Sequence, residues 1–369
     1  MGYSILVECE AFDASEFLSV KSVGASNMNS QRLVSVIIPT FNRAYCVGQA
    51  IESALKQTWP YKEIIVVDDG STDETSTVLA QYGSAIHVVR QANRGVAAAI
   101  NAGLKCSQGD WIAVLGSDDI WLPDQLTRQQ TDLAHYQSAV AHATDALVEM
   151  PGGALVSKFE TMGVKAAYDR QPFRIRAIED VLKVQFFSQA CMYKASIIKQ
   201  EGGLDESFRI YEDHELALRI ALHGPWIVST RAGVIVRRFL TKKDSLSLLH
   251  VTNPAESIEF LIKAYSRILR RHECSRADRK LLRRYLSAAY YDKALALLSE
   301  NQRHSAQEHV TRSVLVWPCA RSLARLLLWY AFGPKAWSGL KRLFGNKSFE
   351  LRRSTAEVKA SSKEVIQLK

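Results

Sequence analysis

The sequence contains no run of about 18 apolar residues; the best candidate, Leu326 to Gly333, is eight long and follows Arg325. Nothing in it therefore reads as a membrane span. Residues 1–27 lack the basic start and apolar core of a signal peptide, because Glu8, Glu10, Asp13 and Glu16 fall there. The six cysteines (Cys9, Cys46, Cys106, Cys191, Cys274 and Cys319) stand apart with no CxxC spacing. Structural zinc is thus disfavoured, and isolated reduced thiols fit a cytosolic protein. Two nucleotide fingerprints are also missing: no GxGxxG follows the first apolar run, and no GxxxxGK[ST] occurs.

What is present describes an ordinary globular chain. Its 369 residues are 47% hydrophobic and 23% charged, enough for two or three units and a sizeable core. The net charge of +9 is unevenly spread: residues 255–345 carry +10, the tail from 346 carries +3, and the first 254 residues sum to −4. A mildly acidic body joined to a basic end suggests parts with different jobs. Basic surfaces attract phosphate polymers and anionic lipid alike, so the charge does not choose between them.

Residues 1–32 are weakly patterned, and order is expected from Leu33; Met28 is read as an alternative start. Val34 to Ile38 reads as a buried strand stopped by Pro39. Apolar spacing predicts a helix over Ala44 to Gln57, then a strand over Ile64 to Val67 and a helix from Glu74 to Gln81. A strand at Ile86 to Arg90, a helix at Val96 to Cys106 and a strand at Trp111 to Leu115 follow. Alternation of this kind implies a parallel sheet covered on both faces, with ligands gathering beyond the strands' carboxyl ends. Each strand ends in a polar cluster: Thr40-Phe41-Asn42-Arg43, Asp68-Asp69, Gln91-Ala92-Asn93 and Ser117-Asp118-Asp119.

A further helix is expected at Asp124 to His135 after Pro123, short strands and loops over 140–200, a strand at Phe186 to Tyr193, and a helix at Glu212 to Leu222. Beyond about 254 the pattern is all-helical, with pieces near 255–272, 276–299, 303–315 and 319–344 before a frayed tail from 346.

Several side chains could carry chemistry. Asp118 and Asp119 are adjacent acids that repel unless relieved, and oxygen ligands suit Mg2+ or Mn2+; a turn and helix cap is the other reading. Asp69 sits at the ligand edge, while Ser71 to Asp73 suit a turn and cap. Glu212-Asp213-His214-Glu215 puts three acids in a helix's first turn, where capping by Asp213 is the plain alternative. His214 and His223 are read as structural.

Taken together, the strings VSVIIPTFNR (34–43), IIVVDDGSTDET (64–75), NRGVAAAINAGL (93–104), GDWIAVLGSDDIWLPDQL (109–126), GGLDESF (202–208) and EDHELALRIALHG (212–224) resemble the family 2 glycosyltransferases, in that family's order. The resemblance implies a GT-A fold: a Rossmann-like α/β, mostly parallel sheet with helices on both faces over 33–240. A basic, all-helical C-terminal region at 241–345 and a tail at 346–369 would follow. It also implies an inverting transfer from a nucleotide-diphosphate sugar to a hydroxyl of a glycan or lipid-linked acceptor, as in polysaccharide biosynthesis at the cell envelope. By that resemblance Pro39, Thr40, Phe41 and Asp69 hold the nucleotide with Asn93 nearby, and Asp118 lies against ribose and diphosphate. Asp119 ligates Mn2+ or Mg2+, Asp213 is the general base, and Gly203 and Glu212 border the sugar and acceptor pocket. The chain departs from the family's Asp-Xaa-Asp, since Gly116 stands where the first acid is expected, and no Gln-Xaa-Xaa-Arg-Trp follows Asp213. The second absence points to single addition rather than polymer building.

Residues 317–344 mix rings and leucines with cations, including Trp317, Leu327, Trp329, Tyr330, Arg321 and Arg325. Such a mixture suits an interfacial helix on an anionic leaflet, or a subdomain that buries its rings. The expected location is cytoplasmic, with peripheral contact at the inner membrane face. No nucleic-acid module accompanies the charge.

Overall fold

Strand residues alternate between two faces, and that alternation builds the molecule. In β1 (Val34–Thr40), Val34, Val36 and Ile38 enter one core cluster while Ile37 enters another. The structure is a computed structural model that describes residues 32–330 except 151, 164–172, 176, 238–251, 321, 325 and 328. The readings of Met28 and of the tail lie outside the described residues.

After β1 come α1 (Val47–Leu55), β2 (Lys62–Asp68), α2 (Thr75–Ala80), β3 (His87–Arg90), α3 (Val96–Cys106) and β4 (Trp111–Val114). These seven elements follow the sequence reading, with one correction. β1 does not stop at Pro39 but runs through it to Thr40, paired with Val67 and Asp68 of β2. Pro39 is tolerated because its nitrogen faces the β4 side, where pairing has ended at Ile37 with Val114. Close approach of α3 to the sheet rests on Gly103, where an added Cβ would lie 2.6 Å from Ile37 Cγ2.

The chain continues through β5 (Ile120–Trp121), α4 (Gln125–His135), β6 (Ala141–Glu149), β7 (Leu155–Ser157), α5 (Lys158–Thr161), β8 (Phe173–Ile175) and α6 (Ala177–Val184). Here the expectation of short strands and loops is corrected: β6 has nine residues, and helices intervene. The strand expected at Phe186 to Tyr193 is instead a tight 3-10 turn, Ser188–Ala190, followed by β9 (Cys191–Lys194). Only from Cys191 onward does the chain lie between β4 and β6 and pair with both. Next are α7 (Ala195–Gln200), α8 (Glu212–Ala221) and β10 (Trp226–Arg237).

The sheet runs β3-β2-β1-β4-β9-β6-β10-β5, with β7 on β6 and β8 on β10. The first four are parallel, β9 is antiparallel to both neighbours, and β6 and β10 are parallel again. One face carries α1 and α4, through Val47, Ile51, Leu126 and Leu133. The other carries α3 and α8, through Ile100, Leu104, Leu216 and Ile220.

Three further helices follow, α9 (Pro254–Leu269), α10 (Arg276–Ser299) and α11 (Arg303–Val316), and described residues between 320 and 330 are helical as well. Ile258, Leu261, Tyr265, Leu282 and Val310 belong to the same apolar cluster as Ile37 and Leu216. The helices therefore extend the core on the α3/α8 face. Trp329 joins that cluster, whereas Leu323, Leu327 and Tyr330 are exposed. The rest of the aromatic-cationic stretch, 331–344, lies outside the described residues.

Candidate active site

The carboxyl ends of β1 and β2 are tied together by a short network. Asn42 takes a left-handed conformation (φ 52°), so its Oδ1 accepts from the N–H groups of Thr72 (2.8 Å) and Asp73 (3.3 Å). Asp73 in turn accepts from Thr75 N–H (2.9 Å), a turn just before α2, whose N-cap residue is Glu74 with no side-chain cap bond. Asp69 is 3% exposed; its oxygens accept from Gln91 Nε2 (2.7 Å), Arg94 N–H (3.0 Å) and Gly95 N–H (2.8 Å). That carboxylate draws in the loop bearing Asn93, which is itself exposed. Gly70 (φ +81°) permits the approach, since a Cβ there would sit 2.8 Å from Asn93 N. Pro39 and Phe41 are half-buried beside Thr40, whose hydroxyl is buried with no hydrogen-bond partner among the described residues. Five of the predicted nucleotide residues thus meet at one rim.

The loop after β4 places the acid pair differently from a cap. Asp119 N–H closes a turn onto Gly116 O (3.0 Å), and the Asp119 carboxylate folds inward to 1% exposure. Its Oδ2 accepts from Gln189 Nε2 (2.7 Å) and its Oδ1 from Arg237 N–H (2.9 Å). Burial, then the charge of Asp118, pushes its pKa up to about 7. Asp118 stays one-third exposed, with Oδ2 4.0 Å from Arg43 Nε. Its carbonyl accepts from Arg237 Nε (2.6 Å).

At the start of α8, Tyr211 is left-handed (φ 61°) and opens the helix, presenting Glu212 and Asp213 in its first turn. Asp213 accepts hydrogen bonds from the backbone N–H of Ser188 and from that of His214 (2.7 Å). Burial raises the pKa of Asp213, and those donors with the ammonium of Lys158 oppose the rise. Glu212 is pushed up to about 8, by burial and then by the charge of Asp213. Within this pair the N–H donors and the Lys158 ammonium favour the charged form of Asp213, while burial and the charge of Asp213 favour the protonated form of Glu212.

Lys158 is itself fixed. Asp145, buried in β6, accepts from Phe159 N–H (2.9 Å) and Ser157 Oγ at the start of α5. The ammonium then sits 3.6 Å from the Phe187 ring centroid.

Other predicted residues have quieter places. Gly203 (φ +76°) is buried against α3: a Cβ there would sit 2.3 Å from Asn101 Oδ1, and its carbonyl accepts from Arg219 Nη2 (2.7 Å). Its loop reaches the rim through Glu206, which pairs with Arg94 at 2.6 Å. His223 is satisfied by Glu201 at 2.6 Å, as a structural histidine should be. His214 is not: both ring nitrogens are buried without a hydrogen-bond partner among the described residues, and burial lowers its pKa to about 4. Its ring sits edge-on to Tyr211 and Tyr265.

Sequence reasoning missed Lys158, Ser188, Gln189 and Arg237. Phe-Phe-Ser-Gln-Ala reads as strand, which hid the turn; only the polar Ser-Gln step inside an apolar run hinted at it.

Among the described residues no group of three His, Cys, Asp or Glu could hold a metal ion. The Asp118–Asp119 pair nonetheless fits Mg2+ or Mn2+, which often uses one or two carboxylates and completes its shell with substrate phosphates and water. The like charge that raises the pKa of Asp119 is what a cation there would relieve.

Comparison with known proteins finds similarity to glycosyltransferases. The profile described as Glycosyl transferase family 2 matches residues 35–194. The putative teichuronic acid biosynthesis glycosyltransferase TuaG of Bacillus subtilis is 37% identical over 145 residues, 38% of this chain and 57% of that protein. Across the curated relatives of higher identity, the chain spans between 14% and 57% of their length. Among solved structures, S. aureus TarS 1–349 in complex with UDP-GlcNAc aligns over 82% of this chain and 88% of that one, with TM-score 0.64 at 17% identity. The mannosyltransferase PcManGT of Pyrobaculum calidifontis, in complex with GDP-Man and Mn2+, aligns over 85% of each chain with TM-score 0.52 and 17% identity. At such identities these two show the shared GT-A fold.

Proposed function

We propose that this chain, which carries a glycosyl transferase family 2 domain at residues 35–194, transfers a sugar with inversion from a nucleoside-diphosphate sugar to an acceptor hydroxyl. One observation carries the reading: consecutive residues, Ser188 and Gln189, hold Asp213 and Asp119, so the acids proposed for the two ends of the reaction share one rim.

Pro39, Thr40, Phe41, Asp69 and Asn93 frame the base and ribose, with the Thr40 hydroxyl available to the nucleotide. Asp118 lies against ribose and diphosphate, and Asp119 with Asp118 would hold Mn2+ or Mg2+. A cation bound there supplies Lewis-acid stabilisation of the departing diphosphate. Asp213 accepts the acceptor hydroxyl's proton as that oxygen bonds to the anomeric carbon. The carbon–oxygen bond to the diphosphate breaks, and its electron pair leaves on the diphosphate oxygen. Glu212, protonated at neutral pH, borders the acceptor without competing for the proton. Gly203 supports the loop that closes this pocket.

UDP is the favoured nucleotide, by analogy with the TarS complex. The acceptor is a glycan or lipid-linked sugar of a cell-envelope polysaccharide, by analogy with TuaG. No described helix is long and apolar enough to cross a membrane. Leu323, Leu327 and Tyr330, exposed on one stretch of the basic end, suit peripheral contact with an anionic leaflet on the cytoplasmic side. Co-sedimentation with anionic vesicles at low salt tests that contact, and absence of binding removes it.

The experiment for the reaction is release of UDP from a panel of UDP-sugars in Mn2+. Turnover that disappears in Asp119→Ala supports the transferase; no turnover with any nucleotide sugar opposes it.

A further inference from the structure

The chain lacks the first acid of the Asp-Xaa-Asp pattern, and the structure shows what stands in that space. A Cβ on Gly116 would lie 2.5 Å from Asp119 Oδ2 and 3.2 Å from Asp118 Oδ1. The Asp119 carboxylate has therefore folded back over the bare glycine. The oxygen lying closest to that glycine, Oδ2, is the one that Gln189 Nε2 meets at 2.7 Å.

Gln189 is not a loose surface amide. Its backbone carbonyl accepts from Trp121 Nε1 (2.8 Å), and its Oε1 accepts from Ser188 Oγ (3.2 Å). With the amide oxygen engaged, the NH2 group is aimed at Asp119. The preceding residue then donates its N–H to Asp213. Phe187, one step earlier, lies beneath the ammonium of Lys158.

We infer that Gln189 is a positioning residue for the cation site: together with the bare Gly116 it orients Asp119 where the family pattern would use another acid. The inference rests on the transferase reading and adds a residue to it. An oxygen that accepts one amide hydrogen still has a second lone-pair direction, so the bond fixes the carboxylate without closing it to a cation. A neutral donor also leaves the site one negative charge lighter than a third acid would. Partners one step removed from a metal commonly govern its affinity by about 10–100-fold. Because the same turn seats Asp213, altering Gln189 should be felt at both ends of the reaction.

The test measures Mn2+ directly, by electron paramagnetic resonance with UDP present, in the full chain and in Gln189→Met, which keeps length but has no amide. The expected result is Mn2+ affinity weakened by about 10–100-fold. At saturating Mn2+ the donor KM should return towards normal while kcat stays reduced, a split that general loosening would not produce. Gln189→Leu, which also lacks the amide donor, should weaken Mn2+ binding in the same way, and it serves if the Met variant folds poorly. Unchanged Mn2+ affinity in Gln189→Met, with wild-type protein binding Mn2+ and UDP normally, overturns the role of Gln189 alone. Wild-type protein that binds neither overturns the transferase reading itself, and this inference with it.

Discussion

Asp119 and Asp213, remote in sequence, are held by neighbouring residues of one turn: Gln189 donates its side-chain amide to the first at 2.7 Å, and Ser188 its backbone N–H to the second. The turn works as a gauge between the proposed leaving-group end and the proposed base.

Gly116 should resist substitution, including the one that restores the family's acid. A side chain there meets Asp119 Oδ2 at 2.5 Å, so that carboxylate must leave its bonds to Gln189 and Arg237. We expect Gly116→Ala and Gly116→Asp each to cost about 1–3 kcal/mol, as overpacking usually does. Both should also weaken Mn2+-dependent turnover. Urea unfolding and a Mn2+ titration check this; a more active Gly116→Asp enzyme would refute it.

Lys158 holds down the pKa of Asp213 against burial. Removing its charge in Lys158→Met should move the acidic limb of the kcat/KM profile to higher pH, since a base that is harder to ionise is lost sooner on acidification. An unmoved limb would remove Lys158 from the account.

Glu212 makes stability fall with rising pH. Folded, it keeps its proton to about pH 8; unfolded, it releases it near the ordinary 4.5. Between those values the folded state binds more protons, so this group's contribution shrinks as pH climbs through the window. Melting curves of wild type and Glu212→Gln should therefore diverge from about pH 5 towards pH 8.5, with the variant the more stable at the alkaline end. Each kcal/mol of difference should appear as roughly 2–4 °C. Parallel curves would contradict the raised pKa.

Much of this arrangement was legible in the chain because its first half is built from β-branched runs bounded by polar clusters. Val34 to Ile38, Ile64 to Val67 and Trp111 to Leu115 need only local patterning to read as strands, and their ends announce Asp69, Asp118 and Asp119. β6 was not legible, because it buries His142, Thr144 and Asp145, whose partners arrive from elsewhere. Asp132 meets His142 at 2.7 Å, Gln125 meets Thr144 at 3.2 Å, and Ser157 meets Asp145. A strand whose polar residues are satisfied by distant chain carries no alternating pattern of its own. Lys158, Ser188 and Gln189 were hidden for the same reason. Their roles come from where α5 and the turn before β9 meet α8 and the β4 loop, and no local spacing encodes that meeting.

The most direct test of the account compares Asp213→Asn with wild type by calorimetric titration of UDP in Mn2+ and by turnover of the best UDP-sugar. The account predicts undiminished UDP affinity with turnover reduced by about 10²–10⁴-fold, the usual contribution of a positioned base. A variant that keeps its turnover, or that loses UDP binding along with it, would contradict the assignment of Asp213 to the far side of the transferred sugar.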